Sequence, residues 1–269
     1  MPVAGQGIKS VYEEQGFFSP LPVISSQEAQ QAKLEFERAE ETLGPLHYQD
    51  KIHTVLKSAW QLATHRTLLD AVEEVLGPDV LLYNVTYIVK EPESSAYVAW
   101  HQDLTYWGLS SDDQVSAWLA LSPATEDSGC MAMVPRSHHQ GQVNHQLVDD
   151  ETNVLYNGQY VPGVDEDTAV LCPLAPGEAS LHHGWTLHAS RPNISRDRRI
   201  GLNMQFVSPK VHQTLHEKDS AILVRGVDRF NHFGVDDPPM VDLDPQAIKT
   251  REEKQAIVKG AYLVARGQE

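Results

Sequence analysis

The chain has 269 residues and a formal net charge of −16, which would repel nucleic acid and anionic membrane surfaces. No apolar run is long enough to cross a membrane, and the first residues lack the apolar stretch of a secretory signal, so we expect a cytoplasmic protein. The two cysteines, Cys130 and Cys172, are too few to staple a fold of this size and are interpreted as small buried apolar residues.

Helical patterns dominate the first third of the chain, and we expect a helical layer over about 8–77. Ser25 and Glu28 have the spacing of a capping box at the start of the first clear helix. Gly77 and Pro78 stop the helical pattern. The recurrence of apolar residues predicts helical stretches over about 27–43, 52–63 and 67–76.

After Pro78, short runs rich in β-branched and aromatic residues follow one another without helices between them, which predicts an antiparallel β core over about 79–226. Strands that follow helices in one block predict a single double-sheet barrel or jelly roll with helices packed on one face. A polar stretch over 138–167 is interpreted as a long loop over the barrel mouth. A loop and a charged helix complete 227–269, so a single domain is expected over 1–269.

One pair of residues has the spacing of a metal site. Among 13 histidines, only His101 stands in a His-x-Asp pattern, with Asp103, and the chain contains no His-x-Glu. Side chains two residues apart on a strand point to the same side, so both would face the barrel interior. An imidazole and a carboxylate so placed can fill adjacent positions on one divalent ion. They would supply two of the three ligands of the two-histidine, one-carboxylate triad.

A second group of polar residues surrounds His188. A turn at 191–193 would fold the strand that begins at Arg199 back beside the strand that carries His188 and Ser190. A guanidinium offers a planar pair of donors that suits a carboxylate. A third metal ligand beside a fixed cation and a hydroxyl would equip the barrel to hold a carboxylate ligand next to a metal.

In this order, the residues resemble the phytanoyl-CoA dioxygenase family of Fe(II)- and 2-oxoglutarate-dependent oxygenases. The resemblance runs from about Gly16 to about Phe233 and implies a mostly β fold with flanking helices and a double-stranded β-helix core of the jelly-roll or cupin-like type. The matching segments are Lys90-Glu91-Pro92, WHQD at 100–103, the strand around Trp118, GCMAMVPRSH at 129–138, and His188-Ala189-Ser190 followed by Arg199. Ala189 replaces the family's usual glycine, which we expect to matter little.

The resemblance implies a reaction in which O2 and 2-oxoglutarate are consumed, succinate and CO2 are released, and a small-molecule metabolite is hydroxylated. Related chlorinating enzymes carry a small residue at the position of Asp103, so hydroxylation is favoured over halogenation. The implied roles are Fe(II) binding by His101, Asp103 and His188, cosubstrate carboxylate binding by Arg199 and Ser190, and a cosubstrate pocket lined by Trp118 and Thr86.

Several assignments stay open at this stage. Arg136 replaces a family glycine and either points to solvent, which we favour, or reaches the pocket mouth as an anion receptor. Asn84, Tyr106 and Trp107 are candidate substrate contacts, for which ordinary strand bonding or core packing is equally compatible. A polar group from the helical region is expected near the cosubstrate, and the candidates are His47, Gln49, Lys51 and His53.

His182 and His183 precede the distal histidine and could be mistaken for ligands. Six residues of regular strand would separate His182 from His188 by about 20 Å, so we interpret His182 as structural and His183 as a core or supporting residue.

The same chemistry could instead desaturate, epimerise or close a ring, and a non-catalytic cupin-like metal-binding protein is the other alternative. Arg199 and Ser190 argue against the binding protein, because a structural metal site needs no carboxylate clamp. An acyl-CoA substrate is disfavoured, since no lysine and arginine cluster is evident for its phosphates. The substrate and the oligomeric state are not determined by the sequence.

Overall fold

A computed structural model of the chain describes residues 7–155, 158–216 and 219–265, and it describes the backbone alone at 106 and 257–265. The helices in these residues are α1 (Ile8–Gln15), α2 (Ser26–Leu43), α3 (Lys57–Ala63), α4 (Arg66–Leu76) and α5 (Pro245–Ala265). The strands are β1 (Phe17–Pro22), β2 (Val80–Lys90), β3 (Val98–His101), β4 (Gln114–Ala120), β5 (Met131–Met133), β6 (Gln146–Leu147), β7 (Gln159–Tyr160), β8 (Val170–Cys172), β9 (Glu178–His182), β10 (His188–Ser190), β11 (Arg199–Val207), β12 (Ser220–Arg225) and β13 (Gly234–Val235).

The helices begin and end where local chemistry favours it. The capping box before α2 is formed, because the backbone N–H of Ser25 donates to Glu28 and the backbone N–H of Glu28 donates back to the Ser25 hydroxyl. Gly77 ends α4 with a φ of 95°, a positive value that glycine adopts without strain because it has no Cβ. The predicted stretch 52–63 divides into a short 3-10 helix, Ile52–Thr54, and α3.

The strands form a seven-stranded sheet in the order β1-β9-β4-β11-β2-β12-β13, a four-stranded sheet in the order β3-β10-β5-β8, and a small β6-β7 pair. The registered pairs are antiparallel except for β12 with β13. The fold class is therefore the expected one, a mostly β structure with a double-stranded β-helix core and flanking helices. Within the described part of the chain, no helix combines the length and apolar character that crossing a bilayer requires.

The chain divides into two compact units, which we call unit 1 and unit 2. Unit 1 contains Met1–Lys33, Ile88–Thr105 and Ala117–Gly201, and unit 2 contains Leu34–Tyr87, Tyr106–Ser116 and Leu202–Glu269. In unit 1, Trp118 and Ala120 of β4 pack with Met131 and Met133 of β5 in one buried apolar cluster. In unit 2, a separate cluster joins Leu81, Tyr83, Val207, Val211, Ala221 and Phe233.

Three local expectations were wrong. The stretch from His182 to His188, expected as regular strand, is instead the break between β9 and β10, which belong to different sheets. Strand β11 was expected beside β10 but lies between β4 and β2, because the connection after Ser190 carries the chain from the four-stranded to the seven-stranded sheet. Strand β1 lies in the stretch that we expected to be helical, and it pairs with β9.

Candidate metal centre

Strand pairing brings the two histidines of the predicted triad together. His101 is the last residue of β3, His188 is the first residue of β10, and the two are direct partners across the antiparallel pair. Their ring centroids lie 4.1 Å apart, and both residues are buried. Asp103 follows the end of β3, in a short 3-10 helix over Asp103–Tyr106. The carboxylate therefore reaches the histidines from a turn, and strand alternation is not what places it there.

Backbone carbonyls fix the protonation of both rings. Nδ1 of His101 lies 2.9 Å from the carbonyl oxygen of Ala99 and 3.1 Å from that of His188, and Nδ1 of His188 lies 2.9 Å from that of Thr186. A carbonyl oxygen only accepts a hydrogen bond, so each Nδ1 carries the proton. Each Nε2 is left with its lone pair, which is the form of imidazole that binds a metal.

The two Nε2 atoms face one oxygen of Asp103. Oδ1 of Asp103 lies 3.4 Å from Nε2 of His101 and 3.7 Å from Nε2 of His188. One ligand atom from each residue falls within 4.8 Å of the others, and the described residues contain no other such group of three or more His, Cys, Asp or Glu. Two imidazole nitrogens and one carboxylate oxygen are the donors that non-haem Fe(II) takes in oxygenases, so the residues fit that ion.

The protonation states also suit a cation. Burial opposes the charge of Asp103, but the neighbouring histidines, chiefly His101 and His182, outweigh burial and hold the pKa of this carboxyl well below its usual value. Burial, with a further contribution from His101, holds the pKa of His188 well below the usual value for histidine. The site therefore presents an anionic oxygen and a neutral imidazole at neutral pH.

A buried hydroxyl and a buried guanidinium lie in the same unit. Ser190 is 4% exposed, and its Oγ has no hydrogen-bond partner among the residues that the structure describes. Arg199 is 2% exposed, and its NH1 donates to the carbonyl oxygen of Gly129. A buried hydroxyl without a partner costs free energy unless a ligand satisfies it. The 2-oxoglutarate carboxylate is a ligand that these two residues fit.

Two residues that the sequence analysis did not assign support this pair. Lys90, at the end of β2, donates through Nζ to the carbonyl oxygens of Ser190 and Arg191. Burial, and secondarily the charge of Arg199, lower the pKa of Lys90 to about 6. Gly201 lies against Trp118, since a Cβ at this glycine would meet Cζ2 of the indole at 1.9 Å. The sequence signals that could have identified these two residues were a lysine at the end of an apolar strand, for Lys90, and a glycine inside a strand, for Gly201.

Gln102, between the two ligands of the His-x-Asp pattern, holds a neighbouring loop. Its Nε2 donates to the carbonyl oxygens of Gly141 and Trp185, at 2.8 Å each, and its Oε1 accepts from the backbone N–H of Val143 at 2.8 Å. Its own backbone N–H donates to Nε2 of His145. The segment around 141–145, part of the predicted mouth loop, is thus tied to the strand that carries the first ligand.

The remaining predicted site residues occupy varied environments. Arg136, in unit 1, is exposed. In unit 2, the side chain of Asn84 bonds to Asp50 and to the backbone of Lys51, and the Thr86 hydroxyl donates to the carbonyl oxygen of Gln49. The carbonyl oxygen of Trp107 accepts from Gln213, and the side chain of Tyr106 lies outside the part that the structure describes.

The four candidates from the helical region also belong to unit 2. The ring of His47 packs on that of Tyr48, and the carbonyl oxygen of Gln49 accepts from the Thr86 hydroxyl. Nζ of Lys51 lies 3.1 Å from Oδ2 of Asp236. His53 is fully buried, and neither ring nitrogen has a partner in the described ranges. Of the four, Gln49 and Lys51 contact predicted site residues, both through the backbone: Gln49 contacts Thr86 and Lys51 contacts Asn84.

His182 lies at the metal centre, contrary to the distance expected for a regular strand. The chain turns between β9 and β10, and the rings of His182 and His188 lie only 4.7 Å apart. Nε2 of His182 is 3.3 Å from Oδ2 of Asp103. The argument that kept His182 far from His188 was wrong, because the strand that it assumed is interrupted.

Comparison with known proteins agrees with this geometry. The sequence model of the family described as phytanoyl-CoA dioxygenase (PhyH) matches residues 12–201. A probable alpha-ketoglutarate-dependent hypophosphite dioxygenase of Stutzerimonas stutzeri is 29% identical over 161 residues, which cover 59% of this chain and 56% of that protein. A 1-deoxypentalenic acid 11-beta-hydroxylase of Streptomyces arenae is 31% identical over 146 residues, covering 51% of each protein.

The chain therefore spans about half the length of these curated relatives. A solved structure of a non-heme monooxygenase, ThoJ in the apo form, covers 97% of this chain and 100% of its own, with a TM-score of 0.86 and 28% identity. Because the family model matches more than half of the residues and includes all three members of the triad, this chain belongs to the phytanoyl-CoA dioxygenase family.

Proposed function

We propose that this protein is an Fe(II)- and 2-oxoglutarate-dependent dioxygenase that hydroxylates a small-molecule metabolite and releases succinate and CO2. One observation carries the proposal: His101, Asp103 and His188 bring one ligand atom each within 4.8 Å of the others, with both imidazoles held in the metal-binding tautomer. When bound, the iron supplies the oxidation of the substrate by O2. Three protein ligands leave coordination positions for 2-oxoglutarate and O2.

The residues of the chain have separate tasks in this proposal. His101 and His188 bind the ion through Nε2, and Asp103 binds it through a carboxylate oxygen. Arg199 and Ser190 bind the far carboxylate of 2-oxoglutarate, because a buried guanidinium and a buried hydroxyl together replace the water that this carboxylate loses. Trp118, buried in the apolar cluster of unit 1, keeps water away from that end of the cosubstrate.

The class of substrate follows from the relatives. The hypophosphite dioxygenase and the 1-deoxypentalenic acid hydroxylase are named for small molecules of very different size, and we propose a small-molecule substrate here as well. Thr86, Asn84, Tyr106, Trp107 and Arg136 remain the candidates for lining the cosubstrate and substrate pocket. The expectation that 1–269 acts as one cytoplasmic oxygenase domain also stays part of the proposal.

Anaerobic titration with Fe(II) and 2-oxoglutarate tests the proposal directly. We expect a weak visible absorption band from the chelated cosubstrate, followed by O2-dependent release of succinate when a metabolite library is screened. His101→Ala and His188→Ala should abolish both signals, while His139→Ala, which removes an exposed imidazole, should leave them unchanged.

A protein that binds metal but shows neither band nor succinate would instead be a non-catalytic binding module. Product analysis separates hydroxylation from desaturation, epimerisation and ring closure.

A further inference from the structure

The connection between β9 and β10 returns His182 to the metal centre. After His182 the chain turns tightly, with the backbone N–H of Thr186 donating to the carbonyl oxygen of His183 at 2.8 Å. The turn brings the His182 ring to 4.7 Å from the His188 ring, and only 2% of His182 is exposed. A buried imidazole in this position needs a partner for its N–H.

That partner is Asp103. Nε2 of His182 lies 3.3 Å from Oδ2 of Asp103, and a carboxylate can only accept, so Nε2 carries the proton and donates it. The two oxygens of Asp103 therefore face different neighbours. Oδ1 faces the two ligand nitrogens, of His101 and His188, whereas Oδ2 faces the N–H of His182.

We propose that His182 is a positioning residue that holds Asp103 in the orientation for binding a metal through one oxygen. The inference rests on the proposed metal-binding role of Asp103. Because Oδ2 accepts from the His182 N–H, the carboxylate presents Oδ1 alone to a metal. Asp103 would then occupy one coordination position and not two. An octahedral ion held by these three residues would then keep three positions for cosubstrate and O2.

His182 does not have the geometry of a fourth ligand. Its Nε2 proton points to Asp103, and the group of mutually close ligand atoms contains His101, Asp103 and His188 without it. Groups that hydrogen-bond to a metal ligand typically change metal affinity by 10- to 100-fold when they are removed. His182 should therefore act on metal affinity through Asp103.

Three substitutions separate this role from space filling. His182→Phe keeps a ring against His188 but removes the donor. His182→Leu also removes the donor and introduces a smaller, aliphatic side chain, in case the phenyl ring prevents folding. His182→Gln keeps an N–H donor near the position of Nε2. His139→Leu is the control, because it removes an exposed imidazole that lies outside the group of mutually close ligand atoms.

The measurement is Mn(II) binding to the metal-free protein, followed by the electron paramagnetic resonance signal of free Mn(II), with circular dichroism as the check on folding. We expect the Phe and Leu variants to bind Mn(II) about 10- to 100-fold more weakly. The Gln and His139→Leu variants should stay within about threefold of the parent protein.

Equal affinity in the parent and the non-donor variants would overturn the role of His182. Loss of binding in the Gln variant as severe as in the Phe variant would overturn it too, because it would point to a ligand or to packing. Absence of Mn(II) binding in the parent protein would instead contradict the proposed function.

Discussion

The guanidinium of Arg199 lies over the indole of Trp118, with 4.9 Å between Cζ and the ring centroid. This cation–π contact fixes the plane of the guanidinium while one of its nitrogens donates to Gly129. The indole is in turn fitted against the glycine at 201, where no side chain intervenes. The proposed carboxylate receptor is thus oriented by packing before any ligand arrives, which lowers the ordering cost of binding.

Arg199→Lys should weaken 2-oxoglutarate binding at least tenfold. Lysine keeps the charge but loses the planar pair of donors, and the loss of such a charge-assisted contact costs roughly 1.5–3 kcal/mol. Anaerobic absorption titration of the Fe(II)-loaded protein with 2-oxoglutarate measures the change. Arg191→Lys, at an exposed arginine paired with Glu126 and Glu166, is the control and should bind 2-oxoglutarate normally. Equal affinities in all three proteins would contradict the assignment.

Gly201→Ala should displace the Trp118 indole. The added methyl group would lie 1.9 Å from Cζ2 if nothing moved, and overpacking of this kind costs about 1–3 kcal/mol of folding free energy. We expect a lower urea midpoint together with weaker 2-oxoglutarate binding. Gly234→Ala is a matched control, since its new Cβ would make only ordinary contacts, the nearest at 3.5 Å. An unchanged 2-oxoglutarate affinity in the Gly201 variant would separate Trp118 from the cosubstrate.

Asp103→Gly should bind divalent metal much more weakly and lose turnover. The substitution removes the only carboxylate of the three-residue group and leaves the His182 N–H without its acceptor. Calorimetric titration with Mn(II) and a succinate assay in the presence of chloride measure both effects. A chlorinated product would show that a halide can replace the carboxylate, which we do not expect. Wild-type metal affinity would remove Asp103 from the ligand set.

His53→Leu should make the stability less dependent on pH. Burial, and secondarily Lys51, lower the pKa of His53 to about 3, whereas the unfolded chain takes up the proton near pH 6.5. Unfolding therefore binds a proton between these values, and the stability due to His53 is lost as the pH falls below 6.5.

For one group, the free energy of unfolding changes by at most about 1.4 kcal/mol per pH unit. The parent protein should therefore lose about 2 kcal/mol of unfolding free energy between pH 7 and pH 5 because of His53, and the variant should not show this loss. Urea unfolding at the two pH values measures it, with His139→Leu as the exposed control. The same pH dependence in His53→Leu and in the parent would show that this imidazole is not the group responsible.

The chemistry of the site could be predicted from the sequence more completely than its geometry. The His-x-Asp pattern and the later histidine identified three residues that the structure brings within 4.8 Å, and helix α2 begins beside the predicted capping box. These predictions depend on residue types and on short spacings. Side chains that are close in sequence constrain each other strongly, so local patterns suffice to find them.

Long-range strand pairing could not be predicted in the same way. The run from Glu178 to Ser190 has the apolar character of one strand, and nothing local shows that β9 and β10 join different sheets. The break depends on partners far along the chain, β1 and β4 for β9 and β3 and β5 for β10. For the same reason the predicted distance between His182 and His188 was wrong, and Lys90 and Gly201 were not identified as neighbours of the proposed carboxylate receptor.

The three hydrogen bonds of the Gln102 side chain have a consequence for engineering. They join the loop at Gly141 and Val143 and the turn at Trp185 to the residue between two proposed ligands. In a loop transplanted from a relative, the backbone groups would not be placed to form these hydrogen bonds with Gln102. A graft of this loop should therefore include the glutamine that anchors it, since without matching hydrogen bonds Gln102 would shift and disturb His101 beside it.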